Sequence, residues 1–361
     1  MLKDANSLKE LEQRAAATLE SVLKEVSILK LEHIDVEPQV GSYHPDLLAH
    51  VIVADRPQVL VGEVKSSGQP RYVREGLLQL RNFIEHTPRM RATPLFIAPY
   101  LSPEARTICR DNKVGYLDFQ GNLRLEFDGV FIERIVERKP SSERRELKSL
   151  FRPKSAQVLK TLLRDPKRPW RVEELAQSAG VSLGHVSNVR TGLLDREWAE
   201  VSERGLYLSK PNELLDAWRD AYEPPPGKRM SFYTILHGKS FEDAARSVLE
   251  ADKGKGRALF CSFSAAHWLA PFGRTGMQYF YADDAGLETL KSALQLNTAG
   301  KGENVIVTIP KDRGLLMDTV EPAPGAVCTG TVQTYLDLSV AGERGQEAAE
   351  HLRREKLNWP T

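Results

Sequence analysis

The chain has 361 residues, with 50 Lys+Arg against 49 Asp+Glu, eight His and three Cys. At about 100–200 residues per domain this length predicts two or three domains, and 41% hydrophobic with 27% charged residues excludes a disordered chain. There is no long apolar run, and Met1-Leu2-Lys3-Asp4 opens a charged segment, so neither a membrane span nor a secretory leader is expected. Three widely spaced cysteines without C-x-x-C spacing exclude a disulfide scaffold and a zinc knuckle, and predict a reducing, cytoplasmic setting.

Through residues 7–30, Leu8, Leu11, Ala15, Leu19, Val22, Leu23 and Val26 recur at helical spacing and predict an amphipathic helix. Strand-like runs follow at 34–40, 47–54 and 58–64. Residues 72–86 return to the helical period through Val73, Leu77, Leu80, Phe83 and Ile84. The run 94–98 reads as a buried strand, Ser102-Pro103 as the cap and first residue of a helix, and 115–135 as a hairpin turning at Gln120-Gly121-Asn122. This order predicts a mixed α/β domain over 1–138.

Residues 134–171 carry thirteen Lys/Arg against four Asp/Glu, an excess of nine that the near-neutral net charge hides. Within this tract 139–150 reads as a basic linker, which serves equally well as a solvated connector or a phosphate-facing track. Over 151–222, helices are expected at 154–164, 172–178 and 183–196, then a hairpin at 199–208. Gly180 suits a turn needing positive φ, Ser182 an N-cap, and Leu175, Ala176, Val181, Val186, Val189 and Leu193/Leu194 a packing face. The pattern is that of a winged helix-turn-helix. Glu223-Pro224-Pro225-Pro226-Gly227 is a stiff linker over 223–227. Residues 228–361 form a C-terminal α/β domain, with strands expected at 258–263, 278–282 and 304–310 and a last helix at 345–356.

The first domain carries one constellation with chemistry. Pro45-Asp46 heads one strand and Glu63-Val64-Lys65 ends the next. Strand residues at i and i+2 share a face, so Glu63 and Lys65 project together, and an adjacent strand can bring Asp46 beside them. Paired carboxylates suit a hard cation such as Mg²⁺ or Mn²⁺, and an ammonium beside them can orient water or offset charge on phosphorus. The plainer alternative is an exposed Glu–Lys pair worth less than about 1 kcal/mol.

The run HPDLLAHVIVADRPQVLVGEVKSSGQPRYVREGLLQLRNFIE resembles the PD-(D/E)XK superfamily, the restriction-endonuclease-like fold of a mixed sheet with flanking helices. That resemblance covers about 7–135 and implies a metal-dependent deoxyribonuclease. It makes Asp46 and Glu63 metal ligands, Lys65 the catalytic lysine and Gln79 a helper on the following helix. A further first-helix acid is expected, with Glu20 and Glu25 as candidates. Superfamily members can keep the fold without catalysis, so activity stays open.

In the second domain, Ser182 to Thr191 is the segment expected to enter a major groove. His185, Asn188 and Arg190 are suited to base edges, Ser182, Ser187 and Thr191 to phosphates, and Arg204 at the hairpin tip to backbone phosphate. Winged helices also serve as protein-binding modules, and Glu173, Glu174, Glu197, Glu200 and Glu203 would repel a duplex they faced. The general pattern is similar to bacterial regulators of the AsnC and MarR type.

The segments PNELLDAWRDAY, FSAAHWLAPF, QYFYADD, NVIVTIP and TVQTYLDLSVAGERGQEAAEHLR, with the winged helix, resemble AbiEi-type antitoxins of type IV toxin–antitoxin systems. This implies a transcriptional regulator that binds its own operator, with a cognate toxin as partner, and here an extra nuclease-like domain precedes it. A homodimer on two half-sites is a further expectation. No residue set in the third domain carries chemistry: Asp283-Asp284 reads as a turn and His267 as packed on its helix. Ser264 lacks a nucleophile-elbow context, and the Gly-Lys-Gly segments at 254–256 and 300–302 lack the phosphate-loop pattern. Three readings therefore stand: a DNA-hydrolysing enzyme docked by a winged helix, a regulator with a non-catalytic nuclease-like scaffold, and a protein-interaction module that sequesters a toxin.

Overall fold

A computed structural model describes residues 2–53, 55–127, 129–137, 139–251, 256–273, 276–298 and 302–359, with side chains from Leu8 onward and excepting those of 250 and 251. It divides into two compact units, one of 1–146 with 193–197 and the other of 147–192 with 198–361.

The first unit is built on α1 (Leu2–Lys24), β1 (Leu29–Val36), β2 (Leu47–Val53), β3 (Arg56–Val64), α2 (Pro70–His86), β4 (Ala92–Ala98), α3 (Pro103–Asp111), β5 (Gly115–Asp118), β6 (Leu123–Phe127) and β7 (Val130–Arg134). The strands form one mixed sheet in sequential order, with parallel pairing only between β3 and β4 and between β4 and β5. One face packs Leu47, Ala49, Val51, Leu60 and Leu95 with the stripe Ala15, Leu19, Val22 and Leu23 of α1. The other packs Leu48, Val61 and Phe96 with Val73, Leu77, Leu80 and Phe83 of α2 and Ala105 and Ile108 of α3. Alternation along β2 and β3 thus feeds two cores from one sheet.

The expected helix over 7–30 stops at Lys24, and 29–33 belong to β1. Leu29 and Leu31 satisfy either period, and pairing with Val53 and Val51 of β2 decides for the strand. The segment 115–135 makes three strands, with a second turn at Gly129 (φ 87°) beyond the one anticipated at 120–122. Ser102 caps α3 as expected, its hydroxyl accepting from the Ala105 N–H at 3.1 Å. The fully buried Asp118 is structural: its carboxylate accepts from the N–H groups of Leu101, Gln120 and Asn122 and from the Asn122 amide.

Gly76 sets how closely α2 lies on the sheet. A Cβ there would stand 2.6 Å from the Phe96 ring and 3.2 Å from Cγ of Glu63, and Phe96 is fully buried. Gly76→Ala should gain about 1 kcal/mol of helix propensity and lose about 2 kcal/mol to overpacking. A lower denaturant midpoint at unchanged slope would show that net loss; a higher midpoint would mean that α2 has room to shift.

Residues 141–150 of the expected basic linker are a helix, α4 (Ser141–Leu150), with Leu147 and Leu150 buried. Next come α5 (Pro153–Arg164), α6 (Val172–Ala179), α7 (Leu183–Asp195), β8 (Ala199–Ser202) and β9 (Gly205–Leu208). Gly180 ends α6 in the left-handed region at φ 63°, as its turn requires. Leu175, Ala176, Val186, Val189 and Leu193 are buried. The β8–β9 hairpin is pinned by reciprocal bonds between Trp170 and Leu206 at 2.8 and 2.9 Å.

The second unit continues with α8 (Pro211–Asp220), β10 (Gly227–Tyr233), α9 (Gly238–Ala251), β11 (Ala258–Phe260), α10 (Ser262–Leu269), β12 (Gln278–Ala282), α11 (Asp284–Ala293), β13 (Asn297–Thr298), β14 (Val305–Pro310), β15 (Thr319–Val320), β16 (Cys328–Thr329), α12 (Thr331–Ser339) and α13 (Glu343–Lys356). A second mixed sheet runs β13-β10-β14-β12-β11-β16-β15. The strand expected over 258–263 ends at Phe260, because Ser262 already opens α10. Where a turn is expected at the aspartate pair, Asp283 caps α11 through a 2.8 Å bond from the Gly286 N–H and Asp284 is the helix's first residue. Ser264 accepts from the Tyr279 N–H and donates to Gln278, a structural role. Of the two Gly-Lys-Gly segments, 254–255 and 300–301 lie outside the described residues. Cys109, Cys261 and Cys328 are free and buried, and no described helix is long and apolar enough to cross a membrane.

Candidate functional site

Asp46 stands just before β2, and Glu63 lies near the end of β3, with Lys65 two residues on. The β2–β3 register pairs Leu47 with Gly62, so Asp46 falls beside Glu63. The Val64 N–H donates to Oδ2 of Asp46 at 2.6 Å, fixing that carboxylate across the two strands. Glu63 and Lys65 share a face, and Lys65 Nζ reaches Oε1 of Glu63 at 2.8 Å. The backbone of Lys65 is held by its N–H bond to the Ile97 carbonyl at 3.0 Å. All three, with Gln79 of α2, line one cavity of about 370 Å³ that also meets Tyr43 and His44.

Glu12 of α1 lies within electrostatic reach of this group, outside the residues that line the cavity. It lies on the buried stripe with Ala15, Leu19 and Leu23, is 2% exposed, and its Oε2 has no hydrogen-bond partner. Burial first, then the charges of Asp46, Glu37 and Glu63, raise its carboxyl to about 7. Burial and then Asp46 likewise raise Glu63 to about 7, against the opposing pull of Lys65. Asp46 is also raised, mainly by burial, with the Val64 N–H and Lys65 acting the other way. Glu20 and Glu25 do not join the cavity. Glu20 pairs with Lys24 at 2.6 Å and Glu25 with Arg134 at 3.4 Å, both on exposed ground. Glu20 lies on the side of α1 away from the sheet, which positions 19, 22 and 23 occupy, and Glu25 lies just beyond its end. The signal for Glu12 was a carboxylate set on an otherwise apolar stripe.

These groups fit a divalent cation by donor chemistry. Glu12 and Glu63 are buried and Asp46 is half-buried, their charges repel one another, Lys65 faces the Asp46–Glu63 pair, and the orphaned buried oxygen of Glu12 asks for a positive partner. Their ligand atoms do not all fall within 4.8 Å of one another.

On α7 and its surroundings, Ser182, His185, Ser187, Asn188 and Thr191 are exposed, Arg190 is half-buried, and Arg204 is exposed at the β8–β9 turn. Ser182 Oγ bonds His185 Nδ1 at 2.8 Å. Of the acids flagged as repulsive, Glu174 pairs with Arg168 and Glu200 accepts from the Tyr207 hydroxyl.

No protein-family model matches the chain, and no curated protein matches it significantly. Among solved structures it is similar to a repair endonuclease from Pyrococcus abyssi, at 13% identity over 28% of this chain and 46% of that one, with a TM-score of 0.22. EndoMS bound to double-stranded DNA gives 16% identity over 28% of this chain and 44% of that one, with a TM-score of 0.21. EndoMS without DNA gives 15% over 29% and 45%, also at 0.21. The chain spans less than half the length of these proteins. At such scores the likeness carries no weight, and the chemistry rests on the side chains.

Proposed function

We propose that the protein hydrolyses DNA phosphodiesters with a divalent cation, Mg²⁺ or Mn²⁺, at the cavity of Asp46, Glu63 and Lys65. The observation that carries this is the meeting of Asp46, Glu63 and Lys65 in one cavity, with the orphaned Glu12 carboxylate electrostatically coupled to both acids. Asp46, Glu63 and Glu12 would hold the ion, which when bound polarises the scissile phosphate and lowers the pKa of an attacking water. Lys65 is anchored by Glu63 and offsets negative charge developing on phosphorus. Gln79 at the cavity rim positions substrate or water. The αβββαβ order of the first unit supports a restriction-endonuclease-like fold for this chemistry.

Docking is assigned to α5–α7 and the β8–β9 hairpin, read as a winged helix, with α7 meeting base edges and Arg204 a phosphate. Asn188→Ala should relax discrimination at one base pair by about 1–3 kcal/mol. Arg204→Ala should instead weaken all sequences alike and lower the salt slope of binding by about one. Fluorescence anisotropy across a salt series checks both, and unchanged binding in both variants would remove α7 and the hairpin from the interface.

The deciding assay is cleavage of linear, supercoiled and branched DNA with Mg²⁺ or Mn²⁺, comparing wild type with Glu63→Gln. Cleavage lost in the variant supports the enzyme. Salt-sensitive binding without cleavage would instead favour a DNA-binding regulator, the antitoxin-like reading, with a scaffold domain.

A further inference from the structure

A second cluster lies at the edge of the first sheet, where β1 has a strand neighbour on one side only. His33 and Asp35 alternate on β1 and share a face, and His50 sits on β2 directly opposite His33. A one-residue bulge makes this meeting. The register runs Leu31 to Val51 and then His33 to His50, so Glu32 is the extra residue. Regular pairing would have set Glu32 against His50 and turned His33 to the other face. The same bulge keeps Leu29, Leu31, Ile34 and Val36 on the core face.

The two imidazoles stack with centroids 4.3 Å apart and planes 11° off parallel. Oδ2 of Asp35 is 3.4 Å from Nε2 of His33 and 3.6 Å from Nε2 of His50. All three ligand atoms lie within 4.8 Å of one another, the only such group of His, Cys or acidic side chains among the described residues. Those two separations exceed the roughly 2.7–3.2 Å of an N–H···O hydrogen bond. They match the edge of a tetrahedron, about 3.3–3.6 Å for ligand bonds of about 2.0–2.2 Å, and a turn of one ring about χ2 out of the stack is what brings both in-plane Nε2 lone pairs onto one ion.

We propose that His33, Asp35 and His50 form a transition-metal site that takes Zn²⁺ through two imidazole nitrogens and one carboxylate oxygen, with water in the fourth position. Two imidazoles and a single carboxylate favour Zn²⁺, and its neighbours Co²⁺, Ni²⁺ and Cu²⁺, over Mg²⁺. Side-chain exposures of 55%, 48% and 29% for His33, Asp35 and His50 leave the site open to solvent for entry and exchange. An ion there bridges β1 to β2 and clasps the edge strand. His50 is four residues along the chain from Asp46, about 13 Å at strand rise, so the site is separate from the nuclease-like cavity. Its donor chemistry differs too.

The test is titration of the full chain, stripped with a chelator, with ZnCl₂ near neutral pH by calorimetry and with Co²⁺ by visible absorption. Wild type should bind one Zn²⁺ and give the intense d–d bands of four- or five-coordinate Co²⁺. His50→Ala and Asp35→Asn should each weaken Zn²⁺ by about 100-fold or more and lose those bands. Glu63→Gln should keep both, and His50→Ala should keep whatever Mg²⁺-dependent cleavage the wild type has. Asp35→Asn preserves shape and covers the case in which His50→Ala fails to fold. Zn²⁺ binding that survives both ligand substitutions, or that disappears with Glu63→Gln alone, overturns the proposal, as does a wild type that binds no Zn²⁺.

Discussion

Replacing Lys65 with Ala is expected to lower the rate of Mg²⁺-dependent DNA cleavage by about 10³-fold while leaving DNA affinity within about twofold. The rate estimate is about 4 kcal/mol, the typical effect of removing one preorganised group that acts on developing charge. The ammonium is 2.8 Å from Glu63, and its side chain is one-fifth exposed, so it works where water screens poorly. Removing it takes away a positive charge that competes with an ion for Glu63, so ion affinity should be kept or raised while turnover falls. Single-turnover cleavage at saturating metal, beside anisotropy binding, separates the two. Equal cleavage in wild type and variant would place the chemistry elsewhere.

The second large effect is on stability against pH in the metal-free protein. The Glu12 and Glu63 carboxyls are both raised from an ordinary 4.5 to about 7 in the folded chain, by burial and by each other's neighbours. For a group raised on folding, the stabilising contribution is complete below the unfolded value and is lost as pH rises through the folded one. Stability should therefore fall between about pH 5 and pH 8, by on the order of 4 kcal/mol for the two groups together after discounting for their coupling. Glu12→Gln should match wild type near pH 5 and exceed it near pH 8. Adding Mg²⁺ at the higher pH should recover much of the loss if the proposed site holds the ion, because an ion bound only to the charged folded form favours it. Urea melts at several pH values, with chelator and with Mg²⁺, read this directly. A flat profile would show that the two acids are better solvated than their burial implies.

Both predictions turn on a site whose parts differ in how plainly the sequence displays them. Glu63 and Lys65 are legible because i and i+2 on a strand must share a face. Asp46 follows from its place at the head of a neighbouring strand. Gln79 comes with the family resemblance alone; the helical period over 72–86 places it on α2 but says nothing of its role. Glu12 carries a signal that the family expectation at Glu20 and Glu25 passes over: it is the carboxylate among Leu8, Leu11, Ala15 and Leu19, on the stripe that helical spacing turns inward.

Local chain geometry by itself determined the alternation of β2 and β3, the Ser102 cap, the left-handed turn at Gly180 and the helix–helix–hairpin order of 172–208. Each needs only a few consecutive residues, because backbone sterics and capping act over one turn or one strand pair. Tertiary structure alone decided the end of α1, the helical state of 141–150 and the meeting of His33 with His50. These depend on register and on which faces touch. A bulge of one residue reverses a strand's faces, and a segment such as 29–33 that satisfies two periods takes the one its partner strand imposes, so no local pattern contains the answer.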